Sequence, residues 1–512
     1  MRRLFLLFLP SLLILALFLT APGGPKPPVE FTDGVASGDV THNSAVLWTR
    51  VDQKAKLTVE VSTNPAFPKK GTLKETVSAT ADNDFTAKVV VAPLKKDDTY
   101  FYRFRSGKSV SEVGTFRTPD LPTRGMDVTF AYSGDSDGTQ IAPGVRFFND
   151  FETLDAIRGE NPDFWIYLGD TIYSDSSLRA SPAVTLEEYR DAYRENREVD
   201  ALRDLLAAIS TYAIWDDHEV QNDFDGQTVD PTRYANGREA FLEYMPLLDQ
   251  GLLQDPACAG DPLFRVFPWG ENTDVIILDE RSCRSADVEA VCSFAPGIPD
   301  LAPTLPSFLR PAFGLPASPP PGCLAAIFDP GRTMLGDVQK DAFKDALLNS
   351  DAKFKFVINE LAILQFYALP YDRWEGYGAE RNEILNFIRD NSIDNVVFLT
   401  TDAHMNLINE VFIDTFTDPT PIADEFVTGP VATFTLERSI LALFGPAGLA
   451  AFNSALDIVG VDCRDLNTFS YGLIEVDDSA GTATITLKDD TGTTLLDKGP
   501  LLTGPCTKTI GP

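Results

Sequence analysis

The chain has 512 residues, with 75 acidic side chains against 43 basic ones, a formal net charge of −32 and only 3 histidines. Such a surface repels nucleic-acid backbones and anionic lipids, so sequence-specific nucleic-acid binding is excluded unless bound cations reverse the local field. Hydrophobic residues make up 44% of the chain, which is typical of a globular protein, and the length predicts at least two domains.

The N-terminal residues have the pattern of an export signal. Arg2 and Arg3 precede an apolar run, 4–19, and the turn-forming sequence PGGPKPP follows Ala21. We therefore assign residues 1–21 to a cleaved signal peptide and expect an extracellular, periplasmic or cell-surface protein. The run is shorter than the ~20 residues that span a bilayer, so no stable membrane span is expected after cleavage. An uncleaved anchor, and the choice between the general and twin-arginine export routes, stay open.

Six cysteines lie in the second half of the chain, without the CxxC spacing of zinc or redox motifs. In an exported protein they are expected to form disulfides. Fifteen pairings exist for six cysteines. We favour a bridge between Cys463 and Cys506, because both lie far from the other four, at positions 258, 283, 292 and 323.

Residues 30–118 predict an all-β domain. Short runs such as SAVLWTRV, KLTVEVST and FTAKVVVA alternate apolar and polar residues and are separated by Asn, Asp, Pro and Gly turns. This spacing is typical of an immunoglobulin- or fibronectin-like sandwich.

Residues 125–480 predict an α/β domain. Six short apolar runs, DVTFAYS, DFWIYLGD, TYAIWDD, DVIILDE, KFKFVINE and NVVFLTTD, alternate with segments of helical periodicity. The Pro- and Cys-rich stretch 284–333 is too long for a simple connection, so we expect it to shape a substrate entrance. Residues 481–512 are assigned to a C-terminal strand and tail.

Carboxylates and histidines stand where these apolar runs end. Ligands bind beyond the carboxyl ends of parallel strands, so these side chains are expected around one crevice. An aspartate after a strand is also a common turn or cap residue. However, two of the three histidines fall in the same acidic motifs, and so many acids require cations to stay ionised together. The expected crevice residues are Asp135, Asp137, Asp170, Asp217, His218, Asn359, Asp402 and His404.

Several of these motifs resemble those of a known family. The segments DFWIYLGDTIYSD, AIWDDHEVQNDF, LDERSCR, MLGDVQ and VVFLTTDAHMN are similar to motifs of the PhoD-type alkaline phosphatases and phosphodiesterases, a branch of the calcineurin-like metallophosphoesterases. The opening GVASGDVTHNSAVLWTRV resembles the β-sandwich that precedes their catalytic domain. The resemblance implies an α/β fold in which two sheets lie between helices, with metal ions at the strand ends.

The resemblance also implies individual roles. Asp170 matches a carboxylate that bridges two metal ions, and Tyr173 matches a phenolate that binds ferric iron. Asp217 stands in place of an amide ligand, and His218 matches a histidine beside the transferred phosphoryl group. The final motif contributes Asp402 and His404, and Asn359 or Glu360 is a further expected ligand. Arg238 and Arg281 could each contact the phosphate or form a structural ion pair, and the sequence does not decide between these roles.

One departure from the family pattern bears on the metals. The family usually has a cysteine thiolate at the end of the first strand, where this chain has Asp135 followed by Asp137. Replacing sulfur with oxygen ligands favours hard cations. We therefore expect two or more metal ions, with Ca²⁺ preferred and Mg²⁺, Mn²⁺ or Fe³⁺ as alternatives; Tyr173 keeps iron in consideration.

The resulting hypothesis is a secreted, metal-dependent phosphoric ester hydrolase, a phosphomonoesterase or phosphodiesterase. His218 and Asp217 are its expected catalytic residues, and a metal-activated water is the nucleophile. The substrate class stays open between small-molecule, lipid and polymeric phosphoesters. Two alternatives remain: a phospholipase D-like phosphodiesterase, and a non-enzymatic calcium-binding surface protein whose acids only rigidify a scaffold.

Overall fold

The N-terminal region is all β. The computed structural model describes residues 27–248, 251–499 and 504–511, so the expected signal peptide lies outside the described residues. The strands are β1 (Phe31–Gly38), β2 (Ala45–Val51), β3 (Ala55–Ser62), β4 (Leu73–Ala79), β5 (Thr86–Val91), β6 (Thr99–Ser106), β7 (Ser109–Val110) and β8 (Gly114–Arg117).

The next segment alternates strands and helices, as its periodicity predicts. Its elements are β9 (Val128–Ser133), β10 (Gln140–Ala142), β11 (Val145–Arg146), α1 (Glu152–Glu160), β12 (Phe164–Leu168), α2 (Leu186–Arg197), α3 (Asp200–Ala208), β13 (Ser210–Ile214) and α4 (Pro231–Tyr244). Helix α2 begins with a capping box between Thr185 and Glu188, which satisfies the free amides of its first turn.

The rest of the chain continues this alternation and closes with antiparallel strands. The elements are β14 (Arg265–Trp269), β15 (Thr273–Ile277), β16 (Ser293–Ala295), β17 (Ile298–Pro299), α5 (Cys323–Ile327), α6 (Asp337–Asn349), β18 (Phe354–Ile358), α7 (Gly378–Asp390), β19 (Val396–Thr400), β20 (Asn406–Val411), β21 (Ala423–Val427), α8 (Leu436–Val459), β22 (Cys463–Asp465), β23 (Ser470–Asp477), β24 (Thr482–Asp489) and β25 (Thr507–Ile510).

The first large sheet joins the N-terminal region to the α/β region. Its strand order is β25-β24-β23-β9-β12-β13-β1-β2-β5, and β1 pairs parallel with β13 where Gly38 faces Thr211. A Cβ on Gly38 would lie 2.4 Å from the Pro246 carbonyl oxygen, so only glycine fits this junction. One layer of the 30–118 region is thus continuous with the sheet of the α/β region, while β3, β4, β6, β7 and β8 form the other layer.

The second large sheet has the order β14-β15-β18-β19-β21-β20-β22 and packs face to face on the first. The Phe130 ring of β9 meets the Phe356 ring of β18 at 5.0 Å, and the Tyr132 hydroxyl donates to the Phe426 carbonyl at 2.8 Å. Strands β12, β13, β18 and β19 are buried along their whole length, as strands covered on both faces must be. All six apolar runs are confirmed as strands, β9, β12, β13, β15, β18 and β19.

Three disulfides stabilise the second half of the chain. Cys463 and Cys506 are bridged, as predicted, and the bond connects β22 of the second sheet to the start of β25 in the first. The other two bridges are Cys258–Cys283 and Cys292–Cys323, the latter within the 284–333 excursion. Three disulfides indicate an oxidising compartment.

Helix α8 is long and largely exposed. It is apolar and long enough to cross a membrane by length and composition alone. Gly445, at φ 65° and ψ −171°, interrupts it just before Pro446, so two shorter helical pieces meet at a kink. Leu443 and Phe444, beside the kink, are 76% and 49% exposed.

Candidate metal centre

Four strands end at one place. Asp135, Asp170 and Asp217 follow the parallel neighbours β9, β12 and β13 within three residues. Asp402 follows β19 of the second sheet, and the Thr401 hydroxyl donates to the Leu168 carbonyl at the end of β12 at 2.8 Å. The carboxyl ends of both sheets therefore meet, which brings aspartates from distant parts of the chain together.

The backbone at these positions adopts the left-handed region. The φ angles are 57° at Asp135, 48° at Asp170, 56° at Asp402 and 51° at His404. Non-glycine residues rarely adopt this conformation, and such strain clusters at functional sites where the surrounding fold enforces it. The turns after the strands thus hold the side chains toward the crevice at an energetic cost.

Asp170 belongs to two groups of ligand atoms. In the first, oxygens of Asp135 and Asp170 and a ring nitrogen of His404 lie within 4.8 Å of one another. In the second, oxygens of Asp170 and Asp217 and a ring nitrogen of His218 do the same. One shared carboxylate between two three-ligand groups is the arrangement that a two-metal centre requires. We refer to Asp135, Asp170, Asp217, His218 and His404 together as the metal cradle.

The chemistry of the cradle fits cations. Both carboxylate oxygens of Asp135 are buried without a hydrogen-bond partner among the described residues. Burial raises the pKa of Asp170 well above its usual range, and the charges of Asp217, Asp216, Glu219 and Asp135 raise it further. A buried carboxylate without a donor, such as Asp135, and a cluster of acids that outnumbers its nearby cations are expected to coordinate metal.

His218 is held in a fixed orientation. Its Nδ1 lies 2.5 Å from Asp175, its backbone amide donates to Asp170 at 3.1 Å, and the Tyr173 ring stacks on it at 4.1 Å. Its Nε2 lies 3.9 Å from Asp217 and 4.0 Å from Asp170. Burial lowers the pKa of His218, but the carboxylates of Asp217 and Asp175 outweigh it and raise the pKa to about 10. The imidazole therefore carries a proton toward the cradle.

Tyr173 reaches the first ligand group. Its hydroxyl lies 3.1 Å from His404 Nε2, and that nitrogen lies 3.5 Å from Asp135. Burial and the charges of Asp170 and Asp135 raise the pKa of Tyr173 well above its usual range, so the phenol stays neutral without a cation. The oxygen is nonetheless placed where a metal could accept it as a further ligand.

Three of the expected ligands lie outside both groups. The Asp137 carboxylate accepts from the Thr139 amide at 3.0 Å and the Ser176 hydroxyl at 2.6 Å. Asn359 accepts from the Trp374 indole at 3.0 Å. Burial raises the pKa of Asp402, and the charges of Asp216, Asp372 and Asp217 raise it further. Asp402 belongs to neither group that contains Asp170.

The two arginines have local partners. Arg281 is fully buried and donates to Asp216 at 2.6 Å and, through both Nη atoms, to Asp372 at 2.9 and 3.0 Å. Arg238 donates to the Asp261 carbonyl at 2.9 Å. The sequence left open whether Arg281 contacts phosphate or forms a structural ion pair. These contacts support the structural ion pair.

Asp175 was not singled out from the sequence. It stands two residues after Tyr173 in the motif YLGDTIYSD, and its second oxygen accepts from the Asn222 amide at 2.6 Å. Its contact with His218 spans 43 positions of the chain. The sequence shows only that Asp175 is an acid in the same loop as the expected ligand Tyr173. It does not indicate which residue the Asp175 side chain contacts.

Sequence profiles identify the family. The family described as PhoD-like phosphatase matches residues 142–484, and its N-terminal domain matches residues 20–120. The chain belongs to the PhoD-like phosphatase family. Asp135 and Asp137, the departure from the family pattern, lie between the two matched segments.

Individual relatives agree with this assignment. Alkaline phosphatase D of Bacillus subtilis strain 168 is 27% identical over 425 residues, which cover 75% of this chain and 66%, just under two thirds, of that relative. The solved structure of PhoD matches with a TM-score of 0.71 at 22% identity, over 96% of this chain and 90% of that one. Purple acid phosphatase PPD1 from yellow lupin seeds matches with a TM-score of 0.54 at 11% identity, over 93% and 73%. These similarities confirm the predicted metallophosphoesterase fold.

Proposed function

We propose that the protein is an exported, metal-dependent phosphoric ester hydrolase. The observation that carries this proposal is the sharing of Asp170 between two ligand groups, with His218 directed at the space between Asp170 and Asp217. Family membership supports the same class of reaction. The disulfides and the N-terminal apolar run support export.

Asp135, Asp170, Asp217 and His404 would hold two cations, with Asp170 contributing to both, while His218 stays protonated beside them. Bound cations would neutralise the acids, bind phosphate oxygens and lower the pKa of a water molecule at this place. Oxygen atoms dominate the ligand set, which favours Ca²⁺, Mg²⁺ or Mn²⁺. The Tyr173 hydroxyl beside His404 favours Fe³⁺ for one position. A visible charge-transfer band that Tyr173→Phe abolishes would assign iron there.

His218 supplies the proton that the reaction needs. Water attacks phosphorus and forms the new P–O bond, and the bond to the leaving oxygen breaks. The proton that the water loses passes to solvent, from which His218 is reprotonated after turnover. The departing alkoxide then takes the proton of His218 Nε2, while Asp175 fixes the imidazole through Nδ1 and stabilises its charged form. Asp217, 3.9 Å from Nε2, also favours the protonated ring.

A leaving-group comparison tests this role. We expect Asp175→Asn to lower kcat for an alkyl phosphodiester by about 10- to 100-fold, because an alkoxide needs protonation. The same variant should hydrolyse a p-nitrophenyl ester almost normally, because p-nitrophenolate leaves without a proton. Metal content should stay unchanged. An equal loss on both substrates would contradict a general-acid role and indicate a structural one.

The proposed activity itself is tested with p-nitrophenyl phosphate and its bis ester in the presence of Ca²⁺, Mn²⁺ or Fe³⁺. We expect turnover in wild type and a loss of at least about 1,000-fold in Asp170→Asn, because the shared ligand supports both ions. Asp120→Asn is the control, because Asp120 pairs with Lys96 and is not part of the metal cradle. Absence of turnover with every ion, together with an Asp170→Asn variant that changes only stability, would favour the calcium-binding scaffold.

A further inference from the structure

Two turns carry the aspartates of the first ligand group. The β9 turn, residues 134–139, holds Asp135, and the β12 turn, residues 169–173, holds Asp170. Both aspartates adopt the left-handed region, and the Ser136 amide donates to the Asp170 carbonyl at 2.9 Å. A strained backbone of this kind keeps one conformation only where the surrounding structure fixes it. The separation of the two carboxylates therefore depends on the contacts that hold the two turns together.

One buried amide side chain bridges these turns. Asn196 lies in the last turn of α2 and is 2% exposed. Its Nδ2 donates to the Ser136 carbonyl at 2.8 Å and to the Thr171 carbonyl at 2.9 Å, and its Oδ1 accepts from the Gly138 amide at 3.1 Å. The donor and the acceptor ends of the amide thus both bond to the main chain of the two turns.

The fit of this bridge requires both of its partners. A Cβ on Gly138 would collide with Asn196 Oδ1, so only glycine allows this close approach. An amide also satisfies two carbonyl groups and one N–H group without adding charge to a cluster that is already acidic. A lysine has no acceptor and a carboxylate has no donor, so neither could replace Asn196.

The preceding residue of α2 contacts the same region. Glu195 Oε1 accepts from the Gln140 amide at 2.8 Å, just beyond the β9 turn. Glu195 Oε2 accepts from Arg179 at 2.7 Å, and Arg179 donates to the Tyr173 carbonyl in the β12 turn at 2.8 Å. Two successive residues at the end of α2 therefore connect the turns, and Asn196 is the buried one.

We propose that Asn196 is a positioning residue that sets the separation of Asp135 and Asp170, and through it the affinity of the first ligand group for its cation. The inference rests on the proposed function, because the cradle must hold metal. Asn196 would act only through the two turns. Among the described residues, the Asn196 side chain has no hydrogen bond to the segment after β13 that carries Asp217. The second ligand group should therefore depend on Asn196 less than the first.

Metal binding tests the proposal without turnover. Asn196→Leu keeps the approximate size of the side chain and removes its hydrogen bonds. We expect equilibrium dialysis with Mn²⁺ to show one of the two dissociation constants raised by about 10- to 100-fold, because a partner that orients the ligands is lost. The other constant should change much less. Unchanged constants for both ions in a folded Asn196→Leu protein would overturn the proposal.

A double-mutant cycle assigns the effect to the first ligand group. In an Asp135→Asn background one ligand of that group is already altered. Adding Asn196→Leu should then weaken Mn²⁺ binding far less than it does in wild type, because both changes act on the same ion. Fully independent effects of the two substitutions would contradict a role of Asn196 in placing Asp135.

Arg190→Gln is the matched control on the same helix. Arg190 donates to Glu243 at 2.5 Å and to the Asp82 carbonyl at 2.7 Å, and both partners lie outside the two turns. This variant should lower the thermal stability of the metal-free protein and keep both Mn²⁺ constants. The same loss of affinity in Arg190→Gln would assign the effect to the placement of the helix and overturn the role of Asn196.

Gly138→Ala disturbs the same bridge from its other end and keeps the test available if Asn196→Leu does not fold. Its added methyl group should push the β9 turn away from Asn196 and weaken the same ion. Wild-type Mn²⁺ affinity in Gly138→Ala would contradict the proposal.

Hydrolysis of p-nitrophenyl phosphate by the same proteins separates the two possible failures. If wild type binds two Mn²⁺ ions and hydrolyses the ester, and Asn196→Leu binds both ions equally well, the proposed function stands and this inference fails. If wild type neither binds Mn²⁺ nor hydrolyses the ester, the proposed function fails and this inference fails with it.

Discussion

Two buried acidic clusters lie side by side and differ in what neutralises them. In the metal cradle, Asp135 and Asp170 have no lysine or arginine partner among the described residues, and only the imidazoles of His404 and His218 lie near them, at 3.5 and 4.0 Å. Burial and neighbouring acids raise the pKa of Asp170. In the second cluster, Arg281 and Arg284 donate to Asp372. Burial alone would raise the pKa of Asp372, but the two guanidinium groups outweigh it and hold the pKa below its usual range.

The contrast separates acids that stabilise the fold from acids reserved for cations. Asp216 and Asp217 are neighbours in sequence. Asp216 accepts from Arg281 at 2.6 Å, whereas Asp217 joins the cradle and lies 3.8 Å from the same guanidinium. A motif such as IWDDHE therefore contributes one residue to each cluster. The arginine-paired cluster should respond to mutation through stability, and the cradle through metal binding.

The largest expected effect is on the arginine cluster. Arg281→Gln leaves the buried carboxylate of Asp216 without its partner and Asp372 with Arg284 alone, so the free energy of unfolding should fall by about 3 to 5 kcal/mol with or without metal. Urea unfolding followed by fluorescence measures it. Arg203→Gln, at an exposed pair with Asp200, is the control and should cost no more than about 1 kcal/mol. A similar small loss for Arg281→Gln would remove the distinction between the clusters.

The cradle should show the opposite pattern. Asp135→Asn should leave the metal-free protein about as stable as wild type, because an unpaired buried charge disappears. The stabilisation gained on adding Ca²⁺ or Mn²⁺ should drop by about 2 to 4 kcal/mol, because the variant binds the ion more weakly.

The neighbouring aspartate is the matched control. Asp137→Asn should lose about 1 kcal/mol through its contacts to Thr139 and Ser176 and keep the metal-dependent gain. If Asp137→Asn also lost that gain, Asp137 would be a ligand. Thermal unfolding with and without metal distinguishes these outcomes.

The smallest effect is a pH dependence of the metal-free protein. The folded state raises the pKa of Asp170, and it raises that of His218 to about 10. Their protonated forms stabilise the fold below the unfolded pKa values, and that contribution is lost as the pH rises through the folded ones. Between pH 6.5 and 9 the metal-free protein should therefore lose about 1 to 3 kcal/mol of unfolding free energy.

Metal should suppress that dependence, because bound cations replace the protons as counter-charge. Unfolding free energies measured at several pH values, with chelator and with Ca²⁺, provide the comparison. A metal-free protein that becomes more stable over this range would contradict the assignment of the cradle acids.

The sequence predicted the elements that carry the site better than the contacts within it. Apolar runs ending in Asp170, Asp217 and Asp402 predicted both the strands and the edge at which they meet, because buried parallel strands have a simple pattern. The pairing of β1 with β13, which joins the N-terminal region to the catalytic sheet, has no such signal. It depends on a close approach at Gly38 that only the folded chain reveals.

The sequence also did not show which acids have hydrogen-bond or ion-pair partners in the folded chain. Nothing in the spacing of Asp135 and Asp137 indicates that one carboxylate lacks partners while the other accepts two hydrogen bonds. The contact between Asp175 and His218 and the pairing of Arg281 with Asp372 join distant segments. Such contacts are fixed by tertiary packing, so residue type alone could supply candidates without assigning them.

The central claim is that two cations share Asp170. Elemental analysis of wild type, Asp170→Asn and Asp120→Asn after metal loading and gel filtration tests it most directly. The account predicts two tightly bound ions per chain in wild type and in Asp120→Asn, and at most one in Asp170→Asn. Two retained ions in a folded Asp170→Asn variant, or none in wild type, would contradict it.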